Sequence, residues 1–133
     1  MSTFDILYLS AALLALLYLG LTVQVIRMRL KHQVSLGEHK DGAVVGELQR
    51  AIRAHANFME YVPLSLVLLF LLTQAAASAF MITLLCLFLV VGRGLHAAGI
   101  LNPKFFRLRQ AGLLLNLIVM AVSAFMLIGI AVL

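Results

Sequence analysis

The chain has 133 residues, of which 64% are hydrophobic and 11% charged, and it carries a formal net charge of +5. A soluble domain is roughly half apolar and about a quarter charged, and one this small has too little interior to hide so much apolar side chain. Water is therefore excluded as the main solvent, and lipid fits.

The lone cysteine, Cys86, lies in an apolar run and excludes an intrachain disulfide and a cysteine-based zinc site. No zinc-protease, phosphate-loop or dinucleotide motif occurs, and no metal site is expected. Asp5 precedes the first apolar stretch without any Lys or Arg, so the N-terminus is not expected to be a cleaved signal peptide.

A helix needs about 20 apolar residues to cross the hydrocarbon core. Ile6 to Ile26 meets that without a charge, which predicts a first helix over roughly 4–30. Lys31 to Gly46 is a polar connector containing Gly37, Glu38, Lys40, Asp41 and Gly42. Gly42 and Gly46 have the spacing of helix-packing glycines, but their place in a connector argues against that role.

Tyr61 to Val91 is 31 residues without a charge, too long for one span and too short for two. Gln74 to Ser78 reads as a tight turn inside it. Two spans then have to reach into charged sequence, as helices over roughly 47–73 and 78–101. Pro63 should kink the second, which membrane helices tolerate. Asn102-Pro103 ends the third, because the residue before proline resists the helical conformation. A fourth helix is predicted over roughly 105–132. The fold class is an all-α integral membrane bundle of four transmembrane helices.

All ten Lys and Arg fall within residues 27–53 and 93–109. Four spans place both segments on one side of the membrane, and three would separate them. The positive-inside rule makes that side cytoplasmic, with both termini opposite. Basic residues that hug membrane helices and form no soluble module argue against nucleic-acid binding.

Ionisable groups on membrane helices are costly and point to function. At about 100° per residue, Arg50, Arg53, Asn57 and Glu60 share an arc of about 80° on the second helix, with Tyr61 at its edge and His55 nearly opposite Arg53. Arg93 and His96 share a face of the third helix, Arg109 and Asn116 of the fourth, and Gln24 and Arg27 of the first. Singly, each arginine reads as a snorkelling headgroup contact, with Glu60 neutralising Arg53. Together they read as a cationic pocket with one carboxylate and one amide, suited to a ligand with several carboxylates and an amine.

The stretch Arg53-Ala-His55-Ala-Asn57-Phe-Met-Glu60-Tyr61-Val-Pro63 resembles the second-helix signature of the MAPEG family, membrane-associated proteins in eicosanoid and glutathione metabolism. Gly92-Arg93-Gly-Leu-His96 is similar to the family's third-helix motif, and Arg109-Gln-Ala-Gly112 to the start of its fourth helix. The resemblance implies a homotrimer that binds glutathione at each subunit interface near the cytosolic side. Arg53, Asn57, Glu60 and Tyr61 would hold the peptide, with Arg93 and His96. His55 matches a position that contacts glutathione in some members, and Arg27 a basic position ending the first helix.

The implied chemistry is thiolate activation: a free thiol has a pKa near 8.5, and neighbouring cations lower it. Arg109 fits the family's Arg-x-x-Gly pattern as the activating cation, with Arg107 as the alternative. Ile100 stands where eicosanoid-making members carry a tyrosine, and the short connector is similar to the bacterial branch, which implies the inner membrane. The expected function is a glutathione-dependent transferase or peroxidase acting on a lipophilic electrophile. The alternatives are a non-catalytic thiol- or lipid-binding membrane protein, or a small multidrug transporter. Such transporters generally need a carboxylate in the middle of the first span, and Ile6 to Ile26 contains none.

Overall fold

A computed structural model describes residues 2–132. Helix α1 spans Thr3–His32. Its start is set by a reciprocal cap: the Asp5 N–H donates to Ser2 Oγ at 3.1 Å and the Ser2 N–H to Asp5 Oδ2 at 2.7 Å. Its last turn carries Arg29 and Lys31, whose charge complements the helix dipole, and His32. Gln33 then turns left-handed, with φ 56°. Arg29 Nη1 reaches forward to the carbonyls of Val34, Ser35 and Gly37, at 3.4, 3.3 and 3.1 Å, and ties the connector to the helix end.

That connector is more ordered than its polarity implies. It folds into a small antiparallel hairpin, β1 (His39–Lys40) and β2 (Ala43–Val44), with His39 opposite Val44 and Lys40 opposite Ala43. Asp41 and Gly42 form the turn at φ 51° and 80°, the left-handed pair that a two-residue hairpin loop requires. Gly42 thus serves the turn, and no side chain approaches it.

Helix α2 spans Gly46–Gln74 and continues through Pro63. Ala75–Ser78 reverse the chain, with Ala76 at φ 54°. Helix α3 spans Ala79–Leu101, a 3-10 turn covers Pro103–Phe105, and helix α4 spans Phe106–Val132. Asn102 breaks between them in an extended conformation, and its Oδ1 accepts the Lys104 N–H at 3.1 Å.

Helix α3 is the inner element, packing on α1, α2 and α4. Half of its most apolar stretch is buried, against 22% for α1 and 17% for α4. The core is a column of Leu7, Leu14 and Leu21 from α1, Leu69 and Leu72 from α2, Ile82, Leu85 and Leu89 from α3, and Val119 from α4. The seven-residue spacing on α1 keeps its leucines on one stripe. The outer faces expose Leu16, Leu19, Phe80, Phe125 and Ile128. All four helices are long and apolar enough to cross a membrane. An apolar core inside an apolar exterior is the pattern of a bundle solvated by lipid rather than water.

Helices α3 and α4 meet along glycines. A Cβ on Gly99 would land on the backbone of Arg109, and one on Gly112 on the carbonyl of Gly92 and the backbone of His96. A Cβ on Gly92 would press on Leu115 Cβ at 3.0 Å. The side chains of Gly92, Gly99 and Gly112 must therefore be absent for the helices to approach this closely.

Candidate functional site

The glycine seam brings the N-terminal turn of α4 against the C-terminal turns of α3, and α2 closes the third side. A cavity of about 350 Å³ lies between them. Its α2 wall is a stripe of Arg50, Arg53, Asn57 and Tyr61, spaced three or four apart as one helix face requires, with Gln49 beside Arg50 and four residues before Arg53. His96 enters from α3 and Arg109 from α4. Ile100, Phe106 and Leu113 make an apolar side.

The polar wall is braced from behind. Arg93 is 1% exposed on a helix that spans the membrane. Its Nη1 donates to the Asn57 carbonyl and its Nη2 to Asn57 Oδ1, both at 3.3 Å. Its guanidinium also lies 5.6 Å from the centre of the Tyr61 ring, a cation–π distance. Asn57 in turn donates through Nδ2 to Glu60 Oε2 at 3.3 Å. Arg93, Asn57 and Glu60 therefore form one chain in which the amide links a buried cation to a carboxylate. On the other side of the cavity, His96 Nδ1 lies 2.8 Å from the Arg109 carbonyl oxygen.

The ion pair among the described residues is Lys31–Glu47 at 2.6 Å, and His32 Nε2 lies 3.0 Å from the same carboxylate. Both join the end of α1 to the start of α2, outside the cavity. Arg50, Arg53 and Arg109 pair with no described carboxylate, so the cavity carries uncompensated positive charge. Arg50 Nε is buried without a hydrogen-bond partner among the described residues. A smaller cavity of about 170 Å³ lies on the α1 side, between Gln24, Met28, Lys31 and Glu47, and Arg50 lines both.

Of the residues singled out in the sequence, Arg53, Asn57, Tyr61, His96 and Arg109 come together on this cavity. Arg93 stands behind it, holding Asn57, and Glu60 is exposed beside Asn57. His55 is turned away: its ring stacks on Tyr18 of α1 with centroids 4.6 Å apart. Arg27 and Arg107 are exposed and lie outside the cavity lining. Asn116 is fully buried on α4, with its Oδ1 unpartnered among the described residues.

Sequence reasoning missed Gln49, although it sits four residues before Arg53 on the same face. It also missed the apolar side of the cavity, because Phe106 and Leu113 look like any other residues of an apolar helix. Ile100, noted only for the tyrosine it replaces, lines the cavity as well.

The sequence profile described as the MAPEG family matches residues 7–129 of the chain. Two relatives, each named inner membrane protein YecN, come from Escherichia coli strain K12 and Escherichia coli O6:H1. Each is 35% identical over 105 residues, which cover 79% of this chain and 76% of the relative.

Proposed function

The chain belongs to the MAPEG family, and from that premise we propose that it is a glutathione-dependent transferase or peroxidase of a bacterial inner membrane, acting on a lipophilic electrophile. The observation that carries this reading is the cavity, in which unpaired arginines face apolar side chains within about 350 Å³. That volume is within the range of about 300–1,000 Å³ typical of small-ligand sites.

The lining suits the tripeptide's charges. Arg50 and Arg53 would take its carboxylates, for which the guanidinium fork is the matching donor. The unpartnered Nε of Arg50 is a donor that such an anion would satisfy. Glu60 would take the ammonium group, and Asn57 and Tyr61 the peptide between. Arg93 acts through Asn57, whose amide it holds in place. Arg109 would face the sulfur and favour its ionised form. In this reading Arg107, outside the lining, gives up the role of alternative. Ile100, Phe106 and Leu113 would receive the electrophile, which reaches them through lipid.

One chain leaves Arg53 and Glu60 exposed on a membrane helix, and Glu60 is at the midpoint of α2. A charged side chain facing lipid at the centre of a span costs at least about 2.5–3.5 kcal/mol. A second copy covering this face would remove the penalty, and the reading takes the assembly to be a homotrimer, as the family resemblance implies. Arg27 would then reach the cavity only across a subunit boundary. His55, stacked on Tyr18, would seat α1 on α2. The basic ends of the helices would face the cytoplasm. The name of the two relatives supports the inner membrane.

The test is to purify the protein in detergent, titrate it with glutathione by calorimetry, and follow conjugation of a reactive aryl halide. Binding together with conjugation is the expected result. Binding without conjugation makes the protein a thiol-binding membrane protein, and no binding overturns the assignment of the cavity.

A further inference from the structure

We propose that His96 is a positioning residue for Arg109, acting through the main chain. The inference rests on the reading of Arg109 as the group that faces the glutathione sulfur.

Two constraints meet at Arg109. The first is the missing side chain at Gly99. Any Cβ there would overlap the N, Cα and Cβ of Arg109, so α4 lies on α3 at this point with no space between them. Contact of this kind fixes how near the helices are but leaves α4 free to slide or rotate. The second constraint removes that freedom. His96 Nδ1 is 2.8 Å from the Arg109 carbonyl oxygen, and a carbonyl only accepts, so Nδ1 carries the proton. The bond is directional and attaches to the residue whose side chain enters the cavity.

His96 is itself held. It is 5% exposed, and a Cβ on Gly112 would overlap its backbone. One turn of α4 is therefore pinned by glycine contacts at both ends, with the imidazole bond between them. Arg109 sits in the first turn of α4, directly after the 3-10 turn Pro103–Phe105 and the break at Asn102. Among the described residues, the His96 bond is the side-chain hydrogen bond that joins this turn to α3.

The expected consequence is a loss of rate without a loss of binding. Arginine displaced by about 1 Å from a reacting atom costs on the order of a hundredfold in rate, whereas the carboxylate contacts on α2 are untouched. The experiment uses the full chain in detergent, glutathione, and an aryl halide. Variants His96→Ala, His96→Asn and His96→Gln are compared with wild type, alone and combined with Arg109→Ala. Asparagine places an N–H donor close to the position of Nδ1, and glutamine places its donor one bond further out.

His96→Ala is expected to lower kcat by up to about a hundredfold, with the KM for glutathione changing less than about twofold. The ultraviolet thiolate band of bound glutathione should need a higher pH to appear. His96→Asn should restore most of the rate, and His96→Gln should not. In the Arg109→Ala background, loss of His96 should cost nothing more, as two groups acting as one unit require.

A raised KM with kcat unchanged would mean that His96 binds the ligand directly, and the proposal fails. Additive losses in the double variant also overturn it. If His96→Ala does not fold, the asparagine and glutamine pair decides: equal rates in both sink the idea. Absence of binding and of the thiolate band in the wild-type protein defeats the assignment of glutathione itself, and the inference falls with it.

Discussion

The two ends of the bundle treat polar groups in opposite ways. Toward the Ala75–Ser78 turn and the N-terminus, Ser10 bonds to the Ile6 carbonyl, Thr73 to Leu69 and Thr83 to Ala79, each on its own helix at 2.7–2.8 Å, while the buried Ser123 hydroxyl has no described partner. These bonds are local and satisfy a donor that lipid could not. Toward the basic end, several polar groups bond across helices or have no described partner. Arg93 reaches from α3 to α2, His96 from α3 to α4, and Lys31 from α1 to Glu47 of α2. Arg50 Nε has no described partner. The difference teaches that polarity at one end makes side chains tolerable in lipid, while at the other it sets the positions of helices around a charged cavity.

Substitutions can break that contrast. The largest expected effect is at Arg109. Arg109→Ala should reduce aryl-halide conjugation by about 10²–10³, the cost of removing one group that stabilises developing charge, with glutathione binding retained in calorimetry. Arg107→Ala, outside the cavity, should conjugate at close to the wild-type rate. If the two variants lose activity equally, the cavity is not the site of the reaction.

Next is the buried chain. Asn57→Ala removes the acceptor of a hydrogen bond from a buried charge and should cost about 1.5–3 kcal/mol, read as a lower unfolding temperature in detergent. Asn57→Asp supplies a carboxylate to Arg93 and should recover part of that stability but not glutathione binding, since it repels the ligand's carboxylates.

The glycine seam gives a smaller, sharper comparison. Gly112→Ala should destabilise by about 1–3 kcal/mol, because the added methyl meets backbone that cannot give way. Gly129→Ala, with no atom within 4 Å of the new Cβ, should be neutral or slightly stabilising, since alanine is the better helix former by up to about 1 kcal/mol. The smallest effect belongs to the opposite end: Thr83→Val should change stability by less than about 0.5 kcal/mol. A larger loss there would show that the back-bonded hydroxyls are structural after all.

Much of this molecule was legible in the chain. The number of spans followed from one arithmetic constraint, an apolar run of 31 residues that could not make two crossings unaided. The same constraint put Arg50, Arg53, Arg93 and His96 on membrane helices. The hairpin at His39–Val44 was not read, although Asp41-Gly42 is a hairpin turn, because two-residue strands leave no alternating pattern. The glycine spacing that drew attention, Gly42 with Gly46, serves a turn and a helix start. The one that packs helices, Gly92 and Gly99 against Gly112, spans two helices and has no sequence period.

The sequence alone determined what kind of solvent the chain needs, how often its helices can cross a membrane, and which end is basic, because these depend on counting apolar and charged residues along the chain. Helical periodicity also placed Arg53 and Asn57 on one face. Only the tertiary structure separated residues that look alike in sequence. It put Arg109 on the cavity and Arg107 outside it, turned His55 toward Tyr18, and set Arg93 behind Asn57. Those outcomes depend on how closely α3 and α4 approach and at what rotation. That geometry is decided by side chains the glycines lack and by a hydrogen bond between residues 13 positions apart, neither of which a single helix contains.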